Sequence, residues 1–126
     1  MNKNKVISGK APAAVGPYSQ AIVVGDFIFT SGQLPMDPET GQIKGDIKVQ
    51  TRSALTNLSY VLEAAGSSLD KVVKIVVFMA DITEFASMNE VYATFFSEIP
   101  PARSAFEAAN LPKGAKLEIE AVAVVS

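Results

Sequence analysis

The 126-residue chain contains no cysteine and no histidine. Without cysteine there is no disulfide framework and no thiolate nucleophile. Without histidine there is no Ser-His-Asp or Cys-His arrangement, and no imidazole to hold zinc or iron. Any catalysis must use carboxylates, Arg, Lys, Tyr, hydroxyls, backbone amides and water. Charge is sparse too: 19% of residues are charged, the net charge is -2, and the eleven Lys and Arg are scattered with no run of three. A phosphate backbone calls for clustered cations, so no nucleic-acid partner is expected. No apolar run approaches the roughly 18 to 20 residues of a membrane span. The basic stretch Met1-Asn2-Lys3-Asn4-Lys5 leads into only two apolar residues, too few for a signal-peptide core. A cytoplasmic protein without a membrane partner is the expectation. No glycine-rich loop is placed to cradle phosphates, which argues against a nucleotide cofactor. The aspartates are too dispersed for a carboxylate metal cage, so neither a cofactor nor a metal is expected.

What is present is enough apolar material for a core. The chain is 48% hydrophobic and has the length of one domain, so residues 1–126 are read as a single unit. Val6 to Ser8 reads as a short first strand. Ala21 to Val24 and Phe27 to Thr30 are two apolar runs split by Gly25-Asp26, the signature of a β-hairpin. From Asp46, a plausible N-cap, Leu55, Leu58, Val61, Leu62 and Ala65 recur at helical spacing, and Gly66 suits the position just past a helix end. Val72 to Ala80 has the β-branched density of a buried strand. A second helix after Thr83 carries Phe85, Met88, Tyr92, Phe95 and Phe96, with Pro100-Pro101 as its stop. Ala102 to Ala108 reads as a strand, Leu111 to Gly114 as a turn and Lys116 to Val125 as a last strand. The order β-β-β-α-β-α-β-β predicts an α+β fold with two helices covering one face of a sheet. The other face then needs a cover, normally another subunit.

The last strand is the most informative segment. Alternation puts Leu117, Ile119, Ala121 and Ala123 on one face and Glu118, Glu120, Val122 and Val124 on the other. A face that turns from acidic to apolar within two residues suggests a glutamate at the edge of a buried region, where desolvation raises a carboxyl pKa towards acid/base use. An exposed pair at the strand entrance fits the same pattern. Arg103 follows the double proline and precedes apolar Ala105-Phe106; its planar fork suits a carboxylate ligand, or a structural ion pair with a glutamate. Gly32, between Ser31 and Gln33, permits close approach of a ligand or marks a bulge. Tyr18 follows a rigid turn, and Asn89 sits on the second helix.

In combination these segments resemble the RidA/YjgF/UK family of enamine/imine deaminases. The matching pieces are Ala11 to Gln20, Ser31-Gly32-Gln33, Val77-Phe78 through Asp81, Asn89-Glu90-Val91-Tyr92 with Phe95-Phe96, Pro101-Ala102-Arg103-Ser104, Leu111-Pro112-Lys113 and Glu118-Ile119-Glu120-Ala121. They follow one another from end to end in the family's order. The resemblance implies a chorismate-mutase-like, ferredoxin-like-related α+β subunit with a mixed sheet. It also implies a homotrimer whose sheets form a central barrel, with ligand clefts between subunits. It implies substrates such as 2-aminoacrylate and 2-aminocrotonate, released by pyridoxal-phosphate-dependent dehydratases and hydrolysed to 2-oxo acids and ammonia. Functional positions map onto Tyr18, Ser31, Asn89, Arg103 and Glu118, with Glu120 as the fallback for the active glutamate and with the backbone amides of Gly32 and Ala105 facing the ligand. Family members often carry cysteine where Ala105 stands. In this mapping Arg103 clamps the substrate carboxylate and Glu118 handles the proton of the attacking water. A regulatory module that binds 2-oxo acids without turnover is the alternative.

Overall fold

The computed structural model describes residues 1–125. Six strands form one sheet: β1 (Lys3–Val6), β2 (Ala21–Val24), β3 (Phe27–Thr30), β4 (Val72–Met79), β5 (Ala102–Glu107) and β6 (Leu117–Val124), with helices α1 (Ile47–Ala64) and α2 (Phe85–Ala93). The sheet order is β1-β2-β3-β6-β4-β5. All neighbouring pairs are antiparallel except β4 and β5, which run parallel because α2 carries the chain back between them. The predicted order of elements and the mixed sheet are thus what the chain forms.

Side-chain alternation decides what each face does. Ile28, Ile75, Val77, Met79, Leu117, Ile119 and Ala123 are fully buried on one face. There they meet Leu55, Leu58, Val61 and Leu62 of α1, which are equally buried. Truncating any one of these leucines to alanine is expected to cost roughly 2–5 kcal/mol. Asp46 caps α1, its carboxylate accepting from the Val49 N–H at 3.0 Å. Gly66 closes the helix with a φ of +83°, a left-handed conformation that suits glycine. The opposite face is apolar but open: Phe27, Phe29 and Phe106 are each 46% exposed, and Phe78 meets Phe106 edge to face at 5.2 Å. No helix among the described residues is long and apolar enough to cross a membrane.

Strands β4, β5 and β6 end within one residue of the sequence reading, and two boundaries differ by more. The first strand runs over Lys3–Val6 and not Val6 to Ser8, because an edge strand is held by its backbone pairing to β2 and needs only Val6 in the core; Ile7 is 73% exposed. The second helix stops at Ala93, well before Pro100-Pro101, so the buried Phe96 packs from the connecting segment and not from a helical turn.

Candidate functional site

Pairing places the candidate residues on two faces. In β5, Arg103 is level with Ile75 and Ala105 with Val77, so both side chains point to the helix side. In β6, Glu118 is level with Phe78 and Glu120 with Val76, so both point to the open side. Arg103 and Glu118 of one chain therefore have a sheet between them.

On the helix side, α2 builds a holder for Arg103. Phe85, Asn89 and Tyr92 recur at i, i+4 and i+7, one stripe of the helix. The guanidinium lies 5.1 Å from the Phe85 ring centroid and 4.6 Å from that of Tyr92, within cation–π range. Nη1 donates to the Asn89 carboxamide oxygen at 2.7 Å. No carboxylate among the described residues pairs with Arg103, so no counter-ion compensates its charge. The structural ion pair that the sequence left open is not made. A cleft of about 550 Å³ opens beside it, lined by Asn89, Tyr92, Phe96, Ser97, Pro101 and Arg103 among others. Strand β5 is the free edge of the sheet. The Ala108 N–H donates to the Met79 carbonyl at 2.8 Å. In a parallel ladder, bonding residues alternate. The amides of Ala102, Ser104 and Phe106 are then committed to β4, and those of Arg103 and Ala105 are turned outwards.

The open-side group is built on a bulge. Phe29 pairs with Val122 and Gln33 with Ile119. Four steps from Phe29 to Gln33 face three from Val122 to Ile119, so one residue in the Ser31-Gly32 stretch is extra. The bulge brings the backbone at Gly32 against Glu118: a Cβ there would overlap the carboxylate, with Cδ at 2.7 Å. Only glycine leaves Glu118 its place. Burial, and secondarily the charge of Glu120, push the Glu118 carboxyl above its ordinary pKa. Ser31 donates its hydroxyl proton to the Ser19 carbonyl at 2.6 Å, which anchors the bulge to the Tyr18-Ser19 turn. Buried Gln20 pins that turn further, accepting from the Ser8 N–H and donating to the Pro12 carbonyl. Tyr18 is 53% exposed, its hydroxyl accepting weakly from the Val15 N–H at 3.4 Å.

The predicted residues thus separate into Arg103, Asn89 and Ala105 on one side and Glu118, Glu120 and Gly32 on the other, with Ser31 in the bulge and Tyr18 in the turn that it anchors. Sequence reading missed the parts of the holder played by Phe85 and Tyr92, which read as ordinary core stripe. Their spacing on either side of Asn89 was the available signal.

Comparison with known proteins adds to this geometry. The family model described as Endoribonuclease L-PSP matches residues 8–125. A RutC family protein of Pyrococcus abyssi is 53% identical over 124 residues, covering 98% of both chains. The 2-iminobutanoate/2-iminopropanoate deaminase of Bos taurus is 50% identical over 122 residues, covering 95% of this chain and 89% of its own length. The crystal structure of E. coli TdcF with bound serine superposes with a TM-score of 0.93 at 43% identity, covering 98% of this chain and 99% of that one.

Proposed function

This chain belongs to the Endoribonuclease L-PSP (RutC/RidA/YjgF) family, and from that premise we propose that it is an enamine/imine deaminase acting in the cytoplasm without a cofactor. It hydrolyses 2-imino acids to 2-oxo acids and ammonia. The observation that carries this reading is the uncompensated Arg103, fixed by Asn89 and two rings at the mouth of a cleft. The arrangement suits a small carboxylate. Relatives of similar length bear names that specify deamination of such acids.

The active unit we infer is an assembly of at least two chains, and the resemblance implies a homotrimer. Arg103 and Glu118 cannot share a ligand across their own sheet, but the free β5 edge of one copy can meet the open face of the next. Burying the exposed Phe27, Phe29 and Phe106 supplies a driving force for that association.

In the site so formed, Arg103 clamps the substrate carboxylate and holds C2 of the imine in reach of the neighbouring copy's glutamate. The ionised Glu118 takes a proton from water as the oxygen bonds to C2. The protonated carboxyl then gives that proton to the nitrogen, forming the carbinolamine; the freed carboxylate next takes the hydroxyl proton and passes it to the amine as the C–N bond breaks, so that ammonia departs and the 2-oxo group forms. A raised pKa suits both halves of that cycle. Tyr18, the Ser31 and Gly32 backbone, Asn89 and the Ala105 amide position water and substrate, and Glu120 tunes its neighbour. Dehydratases that use pyridoxal phosphate to release 2-imino acids from serine and threonine are the natural suppliers. A ribonuclease reading, suggested by the family description, has little support in a chain of net charge -2 without histidine. Bound serine in TdcF keeps binding without turnover as the second reading.

The test couples a serine/threonine dehydratase to semicarbazide trapping of the released imine. Suppression of semicarbazone formation by the wild-type protein is expected. Absence of suppression by folded, assembled protein, with 2-oxobutyrate still bound, would replace the deaminase with the binding module.

A further inference from the structure

One polar atom of the Arg103 holder has no task in the chemistry above. Tyr92 is 5% exposed, and its hydroxyl has no hydrogen-bond partner among the described residues. Buried hydroxyls are nearly always partnered, so an idle one needs a reason. The ring lies under the Arg103 guanidinium, and the residue lines the same cleft as Arg103 and Asn89. Burial raises the phenol pKa, with the Arg103 charge and then guanidinium hydrogen bonding to the hydroxyl oxygen acting the other way; a guanidinium can only donate, so the O–H proton is still unspent and the group is a proton donor at neutral pH. Arg103 itself spends one donor on a neutral carboxamide. A carboxylate has about four lone-pair sites, more than one guanidinium fork fills.

We propose that Tyr92 is a ligand-binding residue, whose hydroxyl donates to the same substrate carboxylate that Arg103 clamps. The anion site is then a pair formed by Arg103 of β5 and Tyr92 of α2, and the O–H proton has no acceptor in the chain because its acceptor is the ligand. The proposal rests on the 2-imino/2-oxo acid reading of the cleft and adds a residue to it. The alternative is a ring that only stacks beneath Arg103.

Tyr92→Phe separates the two, since it keeps the ring and removes only the O–H. Binding of 2-oxobutyrate is measured by calorimetry on the intact assembled protein, beside the melting temperature without ligand. The expected result is roughly tenfold weaker binding, the scale of a hydrogen bond to a charged group. KM should rise in proportion while kcat changes little, and the ligand-free melting temperature should stay level or rise. Combined with Arg103→Lys, the loss should be less than additive, because both donors address one carboxylate. Equal affinity in Tyr92→Phe, with wild-type binding intact, overturns the proposal and leaves the deaminase reading standing. A lower melting temperature without ligand also overturns it, since the hydroxyl would then have a partner in the free protein. Failure of the folded wild type to bind 2-oxobutyrate overturns both.

Discussion

Arg103 and Glu118 sit on opposite faces of one sheet, and each is prepared in a different way. Arg103 is held by side chains: two rings and a carboxamide from a single helical stripe fix a charge that has no counter-ion. Glu118 is held by backbone: a bulge and a glycine leave space for its carboxylate in surroundings that resist its ionisation. On the proposed function the first serves binding, because a permanent cation without a carboxylate partner attracts an anion at any pH. On the proposed function the second serves the reaction, because burial and the Glu120 charge raise the carboxyl pKa and so favour its taking and returning a proton. The protein keeps them a sheet's thickness apart, so the proposed site requires a second copy to bring the two together.

Breaking each half should therefore give different kinetic signatures. Glu118→Gln preserves shape and removes the proton carrier, and kcat should fall roughly 10²–10⁴-fold, the usual worth of a positioned acid/base group. KM should hardly change. Arg103→Ala should lower kcat/KM roughly 10²–10³-fold, on the scale of losing a well-placed charge partner, mostly through KM. The trapping assay over a range of threonine concentrations separates the two. If Glu118→Gln leaves kcat intact, the proton passes to Glu120 or to bound water.

The separation of the halves is itself testable by mixing. Arg103→Ala and Glu118→Gln chains, each inactive alone, are unfolded and refolded together. With random assembly, half of the Arg103 positions and half of the facing Glu118 positions are intact, so about one quarter of the sites pair two wild-type halves. Activity should return to about that fraction of the wild-type value. No recovery in a mixture shown by mass to contain hybrid oligomers would place both residues in a site made by one chain.

Much of this was legible in the sequence, and the remainder has identifiable causes. The hairpin, the caps of α1 and the face alternation of β6 are local properties: a turn dipeptide, an Asp and a Gly at helix ends, a period of two. They were readable because they need no information from elsewhere in the chain. The opposition of Arg103 and Glu118 depends on β4, whose parallel pairing with β5 and antiparallel pairing with β6 fix both registers. No pattern in the two strands themselves records that. The bulge was visible only as an ambiguity at Gly32, settled by the pairing of Gln33 with Ile119. Tyr92 was hidden because an apolar stripe that fills a core and one that cradles a guanidinium have the same spacing.

The smallest effect concerns the two glutamates, and it distinguishes their roles by pH. Glu118 titrates above its ordinary value in the folded chain because of burial first and the Glu120 charge second. A raised folded-state pKa means that the stabilising contribution is fully present below the unfolded value and is lost as pH rises through the folded one. Glu118→Gln keeps the neutral form at every pH. Its melting temperature should match the wild type near pH 4 and exceed it by about 1–3 °C at pH 8, a modest gain because the side chain is partly solvated. Glu120→Gln should leave a working site but remove the second cause of the shift, so the acid limb of the kcat/KM profile should move to lower pH. A limb that stays in place would assign the raised pKa to burial alone. A limb that vanishes in Glu120→Gln and persists in Glu118→Gln would exchange the roles of the two residues, leaving Gly32 to shape the site through a carboxylate that does not carry the proton.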